Sequence, residues 1–288
     1  MAEKPQTESG YAREDTELVE SATLTVATIL GDLLNDLCIV GGLVPTLLID
    51  VPAGAEANGR HCGTNDLDVG MALAILDEER YKEIAERLRR ADFVHDTRGG
   101  NPIVQRWRWG DLDVTIDFLI PPTEDAQRGG QIKHLEGDFG AIVAPGLQLA
   151  FDEREPVGLD GTTLEGDRAR RSVPVCGPGA YTVLKSFALR LRRERKDAYD
   201  LDYVLAHWPA GIRDIAIRLV GHAESEAEIV ATALGHLRDD YATIDHLGPR
   251  ACARFRDTGG GEDAAAADAQ GRVADLLRAC TSAGVRLP

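Results

Sequence analysis

Apolar and polar residues follow two different rhythms along the first 180 residues of the chain. Apolar positions recur at helical spacing from Leu18 to Leu37 and again from Asp77 to Ala91, which predicts two amphipathic helices. Short β-branched or alternating runs predict strands at 38–40, 67–73, 104–109, 112–120, 141–143 and 173–175. The pair at 104–109 and 112–120 is expected to form a hairpin that turns at Gly110-Asp111. The pattern therefore predicts a front part of mixed helix and strand.

The pattern changes after residue 179 and becomes that of a helical region. Apolar stripes at helical spacing predict helices over 180–193, 197–207, 212–220, 223–239 and 272–280. The three glycines at 259–261 and the Ala-rich run to Gln270 predict a flexible connector near 258–270. The fold class expected is α/β (α+β): a mixed-sheet core domain over 18–179, a helical domain over 180–288 and a flexible tail over 1–17.

Composition and charge narrow the class of protein. The 288 residues include 48 acidic and 32 basic ones, giving a net charge of −16, which argues against a general nucleic-acid coat protein. No apolar run is long enough to predict a membrane span, and no secretory leader is expected at the start of the chain. The five cysteines form no C-x-x-C pair and predict reduced thiols in a cytoplasmic protein.

Aspartates on the predicted strands are the first candidate chemistry. Because side chains alternate along a strand, Asp66 and Asp68 share one face, about 7 Å apart. Asp117 lies on a later strand, and Asp113 shares its predicted face, so either is a candidate third carboxylate. Carboxylates are costly to bury without a partner, and their oxygens are the ligands that Mg²⁺ prefers. The pattern therefore predicts an Mg²⁺ site on these strands, although solvent-facing acidic strands would produce the same spacing.

Two glycines and a basic segment add to this pattern. Gly41-Gly42 ends an apolar strand, where backbone N–H groups can approach phosphates without a Cβ in the way. Between Lys185 and Asp200 the chain carries six basic and three acidic residues, a local charge of +3 in an acidic protein. Lys185 and Arg192 lie near one predicted helix face, from which both can reach one anionic ligand. A solvated basic helix face is the alternative interpretation.

These motifs resemble those of a known superfamily, the nucleotidyltransferases that share the DNA polymerase β fold. The resemblance is carried by Val40-Gly41-Gly42, Asp66-Leu67-Asp68 and Ile116-Asp117-Phe118. The block from Lys185 to Arg190 followed by Arg195-Lys196-Asp197-Ala198-Tyr199-Asp200-Leu201 is similar to one in the AbiEii/AbiGii toxin-type group. The resemblance implies that Lys185 binds nucleotide and that Asp200 is important for activity.

The chain also departs from the motifs of that superfamily. Leu43-Val44-Pro45 stands where Thr-Ala-Leu usually follows the glycines, and the gap to Asp66 is long. The Arg-x-Thr/Ser before the aspartate pair is loosened to Arg60 and Thr64. These departures leave the aspartate pair as the better match and the glycine loop as the weaker one.

The function expected is Mg²⁺-dependent transfer of a nucleoside monophosphate from an NTP to an acceptor hydroxyl. Two metal ions would be held by Asp66, Asp68 and Asp117. The triphosphate would lie against a further set of residues: Gly41, Gly42, Thr64, Lys185 and Arg192. The acceptor class stays open between tRNA, protein and a small molecule, and the toxin-type resemblance implies an antitoxin partner as one possibility. The alternatives are a non-catalytic NTP-binding or partner-binding protein that keeps the fold, and an ordinary α/β protein whose acidic strands are coincidental.

Overall fold

The computed structural model of the chain describes residues 4–51, 59–72, 78–110, 112 and 114–284. These residues divide into two compact units. The sheet unit consists of the described residues within 12–47 and 63–176. The helical unit consists of the described residues within 4–11, 48–62 and 177–284. The helical unit thus collects three separate stretches of the sequence.

All the strands of the sheet unit belong to one mixed sheet. The described residues give nine of them, β1 (Leu37–Val40), β2 (Asp66–Met71), β3 (Phe93–Arg98), β4 (Asn101–Trp109), β5 (Thr115–Ile120), β6 (Ile132–Glu136), β7 (Phe139–Val143), β8 (Arg154–Thr162) and β9 (Arg168–Cys176). Seven run in the order β3-β4-β5-β2-β1-β9-β8, while β7 pairs with both β5 and β6. β2 and β5 are parallel neighbours, and β4 lies antiparallel on the other side of β5.

The helices are divided between the two units. The first four are α1 (Arg13–Leu30), α2 (Val44–Leu48), α3 (Glu78–Arg90) and α4 (Leu149–Asp152). The helical unit contains α5 (Pro178–Arg192), α6 (Arg195–His207), α7 (Gly211–Ser225), α8 (Ala227–Asp240), α9 (Leu247–Arg256) and α10 (Glu262–Ser282). Short 3-10 turns occur at Glu8–Gly10, Gly31–Asp36 and Gly41–Leu43. None of the described helices is both long and apolar enough to cross a membrane.

Alternation along β2 and β5 separates an apolar face from an acidic one. Leu67 and Val69 on β2 and Ile116 and Phe118 on β5 are fully buried. α1 packs against β2, β8 and β9, and α3 packs against β3, β6 and β7. Burial of these apolar side chains therefore fixes the direction in which the intervening aspartates point. The predicted fold class, a mixed-sheet α/β core with a helical C-terminal region, is confirmed.

The structure differs from the sequence-based expectation at both ends of the chain. Within the predicted tail, helix α1 begins at Arg13, and Glu8 accepts a 2.9 Å hydrogen bond from the Tyr199 hydroxyl. The predicted connector near 258–270 is helical from Glu262 onward. Alanine is the strongest helix former, and the helix begins directly after the three glycines at 259–261. The first predicted helix also ends early, because Gly31 adopts a φ of +41°.

Candidate functional site

An acidic row runs across neighbouring strands of the sheet unit. Asp66 and Asp68 occupy alternate positions of β2 and are both half-buried. In the parallel pairing of β2 with β5, Asp68 lies directly opposite Asp117, so the two side chains leave the same face of the sheet. Asp117 is 4% exposed. The structure therefore brings together the three aspartates that the sequence predicted to share a site, which we call the acidic row. Asp113, the alternative third carboxylate, lies outside the described residues.

Arg106 extends this row onto β4. It lies opposite Asp117 in the antiparallel pairing of β4 with β5. Its Nε donates to Asp117 Oδ1 at 2.7 Å, and its Nη2 donates to Asp117 Oδ2. This fork raises the pKa of the guanidinium further, with Asp66 and Asp68 adding to the effect of Asp117. No motif in the sequence pointed to Arg106, which supplies a positive charge directly beside Asp117.

Thr64 orients the first aspartate of the row. Its hydroxyl donates to Asp66 Oδ1 at 2.9 Å, and its own backbone N–H donates to Thr16 Oγ1 at 3.2 Å. Thr64 is 2% exposed. The contact of Thr64 with the triphosphate stays a prediction from the sequence; in the structure the Thr64 hydroxyl contacts the side chain of Asp66.

Gly41 makes room for the second aspartate. Its φ is +72°, a region that favours glycine, and an added Cβ would lie 1.8 Å from Asp68 Oδ2. The glycine therefore has a structural role besides the predicted phosphate binding. It lets the Asp68 carboxylate lie against the turn after β1. Gly42 follows it in the same 3-10 turn and is buried.

Replacing Gly41 with alanine is expected to destabilise the protein by about 2–4 kcal/mol and to displace Asp68. Backbone strain at positive φ accounts for about 1–2 kcal/mol, and the clash with the carboxylate adds to it. Gly99→Ala is the matched control, because Gly99 has a φ of +58° but nothing within 4 Å of an added Cβ. Urea unfolding of both variants measures the difference. Equal losses for the two variants would contradict the close packing of Asp68 on Gly41.

The donors of the acidic row suit a hard divalent cation only in part. Asp66 and Asp68 offer carboxylate oxygens of the kind that Mg²⁺ prefers. Asp117 has both oxygens engaged by Arg106. Within the described part of the chain, no group of three or more His, Cys, Asp or Glu side chains is arranged to hold a metal ion. The residues therefore fit a cation on Asp66 and Asp68, and they do not fit Asp117 as a third ligand.

The basic segment folds into a buried charge network in the helical unit. Lys185 on α5 is 5% exposed, and its Nζ contacts Asp197 Oδ1 at 2.9 Å and Asp200 Oδ2 at 2.6 Å. Arg192 donates to Asp197 at 2.7 Å, and Lys196 donates to Asp200 at 2.7 Å. We call this set, with His61, the Lys185 network. The structure thus brings together Lys185, Arg192 and Asp200 as predicted residues of one cluster, and it places carboxylates around the lysine.

His61 is the member of this network that no sequence motif predicted. Its Nε2 lies 2.9 Å from Asp200 Oδ1, and the side chains of both residues are 1% exposed. The imidazole stacks on Tyr199 and meets Tyr203 edge-on. His61 lies 139 positions before Asp200 in the sequence. His61 belongs to no recognisable motif and lies far from Asp200 in the sequence, so the sequence alone does not predict this contact.

Burial and ion pairing set the protonation states in the network. Burial opposes the charge on Lys185, but Asp197 and Asp200 outweigh it, and the lysine pKa lies above its usual value. Burial also opposes the charge on Asp200, but Lys185 and Lys196 outweigh it and hold the Asp200 pKa well below the usual range. Burial lowers the pKa of His61 to about 4. At neutral pH the histidine is therefore uncharged, and its Nε2–H donates to an ionised Asp200.

Comparison with known protein families finds no match for this chain, and comparison with curated proteins finds no similar protein.

Proposed function

We propose that this protein is a nucleotidyltransferase that moves a nucleoside monophosphate from an NTP to an acceptor hydroxyl. The acidic row supports the proposal: Asp66, Asp68 and Asp117 leave one face of the adjacent parallel strands β2 and β5. Three carboxylates close together repel each other unless cations or hydrogen bonds compensate them. A divalent cation would compensate the charge of such a face, and the bound cation would in turn attract a polyphosphate.

The candidate site residues of the sheet unit each have a role in this proposal. Asp66 and Asp68 would hold a divalent cation, with Thr64 fixing the orientation of Asp66. When bound, the cation supplies positive charge against the α-phosphate and the leaving pyrophosphate. Gly41 keeps Asp68 against the end of β1, which holds its carboxylate in place. The phosphate contacts of Gly41 and Gly42 stay a prediction from the sequence.

The nucleotide-binding roles of residues in the helical unit are assigned from the sequence alone. The resemblance implies that Lys185 contacts nucleotide, yet the lysine already has two carboxylate partners and is 5% exposed. A lysine held this way stabilises the helical unit directly. Its role on the triphosphate, like those of Arg192 and Asp200, stays a prediction; Lys185→Met tests the role of the lysine.

Label transfer tests the proposed function. The purified protein is incubated with each NTP radiolabelled on the α-phosphate, with Mg²⁺ and with or without total RNA. Asp66→Asn/Asp68→Asn is expected to abolish labelling, because the loss of both charges removes the cation ligands. Asp160→Asn/Asp167→Asn, which changes two exposed aspartates of the β8–β9 hairpin, is expected to label as the wild type does. Labelled RNA or protein would also identify the acceptor class.

A non-catalytic nucleotide-binding protein is the second candidate function. The observation that favours it is the closed ion pair between Arg106 and Asp117, which occupies the third carboxylate. In this case NTP and Mg²⁺ would raise the melting temperature of the wild type and not that of Asp66→Asn/Asp68→Asn, while no acceptor would be labelled. No thermal shift and no label would exclude both candidates.

A further inference from the structure

Arg106 lies on β4 in line with the acidic row and forms an ion pair with Asp117. The cross-strand row reads Asp68, Asp117, Arg106 over three neighbouring strands, β2, β5 and β4. The side chain of Arg106 is 16% exposed and that of Asp117 is 5% exposed. Two parallel N–H donors meet two carboxylate oxygens, the geometry in which guanidinium binds carboxylate most strongly. The ion pair therefore has a defined two-point geometry and is largely shielded from water, unlike a surface ion pair.

We propose that Arg106 is the internal counter-ion of Asp117 and keeps this carboxylate out of metal coordination. The acidic row then takes a single divalent cation, on Asp66 and Asp68, instead of the two that the resemblance implies. This inference rests on the proposed function, since it concerns the cation of the same site. It makes Arg106 a positioning residue, acting through Asp117 and through the charge of the row.

Electrostatics gives the direction of the expected effects. Asp66 and Asp68 both interact with the guanidinium strongly enough to raise its pKa. By the same electrostatic interaction, the positive charge of Arg106 weakens the attraction of Asp66 and Asp68 for a divalent cation. Removing the charge of Arg106 both strengthens this attraction and releases the oxygens of Asp117. Replacing Arg106 and Asp117 together by neutral groups leaves the net charge of the site unchanged, because one positive and one negative charge are lost.

Titration with Mn²⁺, followed by the electron paramagnetic resonance of the free ion, tests the proposal without an activity readout. The wild type is expected to bind one Mn²⁺ per chain. Arg106→Gln is expected to bind at least tenfold more tightly, a gain of about 1.4 kcal/mol. Arg98→Gln is the matched control, because it removes the same charge at an exposed position of β3, a strand that pairs with neither β2 nor β5, and it should bind as the wild type does.

Arg106→Gln/Asp117→Asn covers the case in which the single variant does not fold. This double variant replaces the ion pair with two neutral groups, and we expect wild-type Mn²⁺ affinity from it. Loss of Mn²⁺ binding in the double variant would identify Asp117 as a ligand and overturn the proposal. Two ions on the wild type, or unchanged or weaker binding by a folded Arg106→Gln, would overturn it as well.

The outcome is separable from that of the proposed function. Labelled acceptor together with equal Mn²⁺ affinities in wild type and Arg106→Gln would overturn the role of Arg106 alone. Tighter Mn²⁺ binding by Arg106→Gln without any labelled acceptor would support the role of Arg106 and count against nucleotidyl transfer.

Discussion

Replacing Lys185 with methionine is expected to lower the free energy of unfolding by about 3–5 kcal/mol. Removing one partner of a buried ion pair leaves the other charge uncompensated, and costs of this size are typical. Here two carboxylates lose a donor at once, Asp197 at 2.9 Å and Asp200 at 2.6 Å. Urea unfolding followed by circular dichroism measures the loss. Lys82→Met, at an exposed position of α3, is the control and should change stability by less than about 0.5 kcal/mol.

A double variant separates the ion pair from the packing of the lysine stem. If the cost of Lys185→Met comes from uncompensated charge, adding Asp200→Asn will cost less than the sum of the two single changes. Additive losses would attribute the effect to packing instead. A stability of Lys185→Met close to that of the wild type would contradict the structural role of the network.

The same variant tests the role that the resemblance implies for Lys185. A variant that melts with the wild type and yet transfers no label would place the lysine on the nucleotide. A variant that is destabilised but still transfers label at low temperature would give Lys185 a structural role only. These two results are distinguishable because the melt and the transfer are measured on the same preparation.

Stability is expected to fall by about 3 kcal/mol between pH 6.5 and pH 4 because of His61. The usual pKa of this side chain is 6.5, and burial lowers it to about 4 in the folded protein. The unfolded chain therefore binds more protons than the folded protein in this window, and stability is fully present above pH 6.5 and lost as the pH falls. Each pKa unit corresponds to about 1.4 kcal/mol. Below pH 4 the lowered pKa values of Asp197 and Asp200 extend the loss.

His61→Gln is the variant that checks this slope. Glutamine can donate to Asp200 from its amide but does not titrate, so the curve of stability against pH should flatten between pH 6.5 and pH 4. His134→Gln is the matched control, since His134 is exposed, and it should leave the slope unchanged. A residual slope is expected from His207 and His236, whose pKa values burial also lowers. A slope that is equally steep in His61→Gln and the wild type would contradict the assignment.

Parts of the fold and of the site could be predicted because they depend on neighbouring residues. Alternation along the strands gave the acidic face of β2 and β5, since Leu67, Val69, Ile116 and Phe118 all need burial on the opposite face. Period and composition likewise predicted most of the helices after residue 179. Strand β8 was missed because Pro156 and two glycines interrupt its pattern, a composition that usually disfavours strands.

The partner of Asp117 depended on hairpin register. A two-residue turn at Gly110-Asp111 would place Arg106 opposite Thr115. In the structure β4 ends at Trp109 and β5 begins at Thr115, and this longer connection shifts the pairing so that Arg106 meets Asp117. The shift of two positions keeps the same face, so alternation alone could not distinguish the two registers.

The sequence by itself determined most of the helices and the strands that carry the acidic row, and which face of β2 and β5 carries acid, because these follow from the local period of apolar side chains. Only the tertiary structure decided which charges meet. Arg106 reaches Asp117 through strand register, and His61 reaches Asp200 across 139 positions of the chain. Partners this distant are selected by the burial of charged groups, which are stable inside the protein only when an opposite charge or a hydrogen-bond donor accompanies them.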